Sequence, residues 1–146
     1  MYATMDTIDI KSKEERDAEM NELHYIYAEA VKAWREAMDA HTAAYQRFLE
    51  SQDRSAEEVA KAEEWLDSTL YMTKRMRAML DDSVLLLNGQ AARLDYISAA
   101  LAVGKSDHEI KSVMSSSLNL DRRASLTYWR QQAASLHVTS EPFALL

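Results

Sequence analysis

The chain has 146 residues, of which 47% are hydrophobic, 2 are glycine, 1 is proline and none is cysteine, and its formal charge is -7. That length suits one average domain with a real core. So little glycine and proline excludes the tight hairpins and phosphate-cradling loops of all-β, Rossmann-type and P-loop proteins, and the negative charge opposes generic binding to nucleic acid or anionic membrane.

Residues 1–11, with Thr4, Thr7 and no sustained hydrophobic period, read as a flexible arm. The arm carries Asp6 and Asp9 and lacks a basic-then-apolar order, so no secretory leader is expected. No uncharged stretch exceeds about ten residues, whereas a membrane-spanning helix needs about 20. A cytoplasmic location is the resulting expectation.

Order is expected from Ser12, because Ser12-Lys13-Glu14-Glu15 matches a capping box. Met20, Leu23, Tyr27, Ala30, Trp34, Ala37, His41, Ala44 and Phe48 then recur at steps of three and four, a heptad seam that predicts a helix from Lys13 to Ser51. Val31, Met38 and Tyr45 form a second line beside it, wider than a two-stranded seam needs. Gln52-Asp53-Arg54 breaks the pattern, and Ser55-Ala56-Glu57-Glu58 offers a second capping box. The next helix shows one line of Val59, Ala62, Leu66, Leu70, Thr73, Leu80, Val84 and Leu87. A neighbouring line holds Trp65, Met72, Met76, Met79 and Leu86. Asn88-Gly89 is the expected left-handed cap. Residues 12–88 thus predict a long antiparallel, coiled-coil-like helical hairpin. With its turn near Asp53, the facing pairs are Phe48–Val59, His41–Trp65, Trp34–Met72 and Tyr27–Met79.

Three shorter helices are expected over 89–137, packed on the base of the hairpin. The first, from Gln90 to Val103, turns Leu94, Ile97 and Leu101 inward and stops at Gly104. The second opens at a third capping box, Ser106-Asp107-His108-Glu109, and buries Ile110, Val113 and Met114. The third is capped by Asp121 and buries Ala124, Leu126, Trp129, Ala133 and Leu136. Residues 138–146, broken by Pro142, read as a tail. Residues 1–88 hold 11 basic and 19 acidic side chains against 6 and 5 in 89–146, so the hairpin carries the acidity.

The chain is therefore expected to be an all-α bundle whose hairpin outreaches the short helices available to cover it. Apolar surface left bare costs roughly 25 cal/mol per Å², so a second copy or another helical protein should cover it. Trp34, Met38, Tyr45, Trp65, Tyr71, Met72 and Met76 are the expected partner-binding residues. The Lys74-Arg75-Met76-Arg77 cluster could rim such a surface. A non-enzymatic interaction module follows: a chaperone or adaptor, an inhibitor or immunity-type antagonist, or an assembly subunit, with a homodimer favoured.

No catalytic, metal, cofactor or small-molecule site is expected. The residues three before the histidines are Asn21, Met38, Lys105 and Ala134, so the Glu-x-x-His signature of di-iron bundles is absent. Adjacent acidic pairs such as Glu63-Glu64 diverge by about 100° on a helix and do not converge on one ion. The alternative reading is a DNA-binding protein: residues 104–132 resemble a helix-turn-helix layout, with Arg122, Arg123 and Arg130 toward the nucleic acid and the hairpin as a dimerisation stalk.

Overall fold

The computed structural model describes residues 9–140, with side chains to residue 137. Among them the chain is all-α: α1 (Lys13–Ser51), α2 (Ala56–Ala102), α3 (Asp107–Ser116) and α4 (Arg122–Ser140). Two long helices form the expected hairpin, and shorter helices follow it.

Local side-chain chemistry accounts for the helix starts. At Ser12 the hydroxyl accepts from the Glu15 amide at 3.2 Å while the Glu15 carboxylate accepts from the Ser12 amide at 3.4 Å. Ser106 and Glu109 form the same reciprocal pair. Ser55 accepts from the Glu58 amide, and Asp121 from the Ala124 amide at 2.8 Å. Each satisfies an amide that the first helical turn leaves without a carbonyl.

Two helices rather than three follow the hairpin, because α2 runs through Gly89 to Ala102 without a break. The left-handed conformation belongs to Gly104, at φ 83°. There the Gly104 amide donates to the Leu101 carbonyl and the Lys105 amide to the Ala100 carbonyl, a Schellman motif that closes α2. Gly89 has a different role: it is buried, and an added Cβ would stand 3.9 Å from the Leu126 Cα, so the missing side chain lets α4 lie close. Since 3.9 Å is ordinary contact, Gly89→Ala should stabilise the protein by about 0.5–1 kcal/mol through a less flexible unfolded chain. Gly104→Ala should instead destabilise it by about 1–2 kcal/mol, the cost of a Cβ in the left-handed region. Thermal melts of the two variants should move in opposite directions; a common direction would refute these roles.

The described residues divide into two compact units: a hairpin unit, Tyr25–Ser83, and a terminal unit that joins residues 9–24 with residues 84–140. The core of the terminal unit consists of Tyr96, Ile97 and Ala100 from α2, Ile110 and Met114 from α3, and Trp129 and Ala133 from α4. Tyr96 and Tyr128 place their rings 5.6 and 5.2 Å from that of Trp129. The Tyr128 hydroxyl donates to the Val113 carbonyl at 2.7 Å, which fastens α4 to α3. Burial pushes the Tyr96 and Tyr128 hydroxyls above their ordinary pKa. Leu101, expected inside, is 42% exposed, because the buried face of α2 passes through Tyr96, Ile97 and Ala100.

Of the arm expected over 1–11, residues 1–8 lie outside the described residues. Ile10 packs against the terminal core, and Lys11 pairs with Glu19 at 3.2 Å. Glu19 also meets Arg93 at 3.6 Å, joining the start of α1 to α2. Of the tail expected over 138–146, residues 138–140 continue α4 and the rest lie outside the described residues.

In the hairpin unit, small and polar residues take most of the buried seam positions. Ala44 is fully buried, with Ser51, Thr69 and Leu80 nearly so. The His41 Nδ1 lies 3.1 Å from the Thr69 hydroxyl, which donates in turn to the Leu66 carbonyl; Nδ1 is therefore the donor toward Thr69. The Thr73 hydroxyl shares its one proton between the Thr69 carbonyl within α2, at 2.8 Å, and the Ala37 carbonyl across the seam, at 3.1 Å. Thr69 thus occupies the seam position expected of Leu70, because its hydroxyl is satisfied and can be buried without loss.

These bonds set facing positions whose numbers add to 110, not the expected 106. His41 meets Thr69 rather than Trp65. Helical side chains lean toward their own N-terminus and cover a spot about one position earlier, which moves an antiparallel pairing outward by about two. The turn also centres between Asp53 and Arg54, later than assumed. Together these account for about three of the four positions by which the register differs from expectation.

Candidate interaction surface

Large apolar side chains remain exposed on the hairpin unit, and they are arranged in rows. At about 100° per residue, Met38, Tyr45 and Leu49 fall on one flank of the α1 seam, while Trp65, Met72 and Met79 fall on a flank of the α2 seam. All six are exposed. Two ring contacts establish the sides. Arg77 of α2 lies over Trp34 of α1, 4.9 Å from the ring centroid, on the flank of Met38 and Tyr45. Arg47 of α1 lies over Trp65 of α2 at 5.0 Å, on the flank of Met72 and Met79. The rows are therefore on opposite sides of the hairpin. We call them the Met38 flank, which Leu70 joins from α2, and the Met72 flank.

The expected partner-binding residues thus do not form one patch. Met38 and Tyr45 share the first flank, and Trp65, Met72 and the half-buried Met76 share the second. Trp34 is half-buried beneath Arg77, so part of its face is already taken within the chain. Tyr71 projects opposite the α2 seam, 64% exposed and on neither flank. Leu49, Leu70 and Met79, absent from the expected set, complete the rows. Met79 was signalled by its seven-residue step from Met72; Leu70 was concealed by its assignment to the seam.

The polar groups have largely structural occupations. His41 is satisfied within the seam. His137 lies 3.0 Å from Asp95, a pairing across 42 positions that no local pattern announces. His24 and His108 are exposed. Of the basic cluster, Arg77 pairs with Asp81 at 3.0 Å while lying over Trp34. Near the turn, a hollow lined by Arg47, Arg54, Lys61, Glu50, Glu58 and Trp65 ends the Met72 flank, with Arg54 paired to Glu58 at 3.9 Å and Lys61 to Glu57 at 3.5 Å. Arg122, Arg123 and Arg130 are exposed on α4, away from its buried face of Leu126, Trp129 and Ala133. Among the described residues no three histidine or acidic side chains gather as metal ligands, and no helix is long and apolar enough to cross a membrane.

Comparison with family models, with curated proteins and with solved structures finds no match to this chain.

Proposed function

We propose that this chain is a non-enzymatic protein-interaction module that binds another helical chain, or a second copy of itself, through the flanks of its hairpin unit. The observation that carries this reading is the pair of exposed apolar rows, one on each side of a seam too narrow to bury them. Rows of tyrosine, tryptophan and methionine beside arginine have the composition of interface centres rather than of ordinary surface. Their helical spacing suits a helix laid alongside. Methionine side chains adapt to an uneven partner. An adaptor, a chaperone, an inhibitor and an assembly subunit all use such a surface.

The test is partner capture from the native source with cross-linking. A protein held by the wild-type chain should be reduced about tenfold or more by Tyr45→Glu or by Met72→Glu, since either buries a charge in the interface, while circular dichroism keeps its helical signal. Capture unchanged by both substitutions would defeat the proposal. So would a salt-sensitive shift of duplex DNA that disappears with Arg122→Ala and Arg123→Ala, the signature of the nucleic-acid alternative.

A further inference from the structure

We infer that the Met72 flank is a homodimer interface in which two copies stack antiparallel about a two-fold axis crossing the hairpin at Met72. This rests on the interaction reading above and names the occupant of one flank. Trp65, Met72 and Met79 are spaced seven residues apart on the exposed flank of α2. Seven residues bring the helix round almost to the same face, so the three form a straight row with Met72 at its middle. A two-fold axis at Met72 sets Met72 against its own copy and Trp65 of each copy against Met79 of the other. The row is complementary to itself only in this antiparallel sense.

The charges on α1 obey the same axis. Arg47 and Glu29 are eighteen residues apart, about five full turns, so they lie on one line of α1. That line borders the Met72 flank, as the Arg47 contact with Trp65 shows. In the register set by His41–Thr69, Arg47 is level with position 63 and Glu29 with position 81, each nine residues from Met72. The axis that stacks the apolar row therefore brings Arg47 of each copy beside Glu29 of the other. A parallel stack would set Arg47 against the other copy's Lys61, two like charges, and would gain no pairing with Glu29. Ala33 and Ala40, also on this side of α1, leave room for the second copy to approach.

Light scattering on the full chain tests the inference. The wild type should be a dimer, and Met72→Glu should raise its dissociation constant about a hundredfold or more by burying two charges at the axis, with helical content retained. Arg47→Glu should weaken the dimer, and adding Glu29→Arg should restore it. Because the chain lacks cysteine, a single Met72→Cys should give a disulfide-linked dimer under mild oxidation much faster than Tyr71→Cys, since the antiparallel stack sets the two residues 72 against each other. A wild type that is monomeric at all concentrations overturns the inference. If that monomer still loses a captured partner on Tyr45→Glu, the broader interaction reading survives. A dimer that dissociates on Tyr45→Glu but not on Met72→Glu assigns self-association to the other flank and equally overturns it.

Discussion

Trp129→Ala should destabilise the terminal unit by about 3–5 kcal/mol, a large part of the 5–15 kcal/mol typical of a folded domain. Trp129 is 2% exposed and fills the space between α2, α3 and α4. Its cluster neighbours Ala100 and Ala133 are too short to fill the vacated volume, and Tyr96 could do so only by leaving its own place in the core, where it is 3% exposed. Collapse of the helices is opposed as well, because the Tyr128 hydroxyl holds α4 to the Val113 carbonyl. The loss therefore includes both the transfer of the indole and an unfilled cavity lined by Tyr96 and Ile97. Urea denaturation followed by far-ultraviolet circular dichroism measures it. Trp129→Phe should retain much of the stability by keeping a ring beside Tyr96. A Trp129→Ala midpoint within about 1 kcal/mol of wild type would mean that the site relaxes freely and is no close-packed core.

Ala44→Leu should destabilise the hairpin unit by about 1–3 kcal/mol, for the opposite reason. Ala44 is fully buried in a seam where the neighbouring cross-helix links run from His41 to Thr69 and from Thr73 to Ala37. Three added carbons must push α1 from α2. That separation stretches both hydrogen bonds and leaves part-buried hydroxyl and carbonyl groups poorly matched. Ala43→Leu, one position round on the exposed side of α1, is the control and should leave the melting temperature nearly unchanged. A rise in melting temperature with Ala44→Leu would show that the seam has room to spare. The pair of predictions separates two ways of holding helices together: interlocked large side chains in one unit, close approach of small ones in the other.

What could be read along the chain was whatever depends on a few consecutive residues. Ser12, Ser55, Ser106 and Asp121 were recognisable as caps because each oxygen reaches an amide within three positions. The end of α2 at Gly104 was equally local. The inward lines of α3 and α4 followed from periodicity, and so did the surplus of apolar side chains on the hairpin. Gly89 is ambiguous in the sequence because the same residue serves a left-handed cap or a close helix approach, and only the presence of Leu126 distinguishes them.

The amino-acid sequence by itself thus determined the all-α class, the long hairpin with its turn, the four helix starts and the excess of exposed apolar residues, since caps and heptad lines act at short range. Tertiary structure alone decided the register, the choice of Thr69 over Leu70 for the seam, and the division of the apolar residues between two opposite flanks. Those depend on how far each side chain leans before it meets one from the other helix. A periodic pattern records which residues share a line on one helix; it does not record where a second helix crosses that line, or on which side.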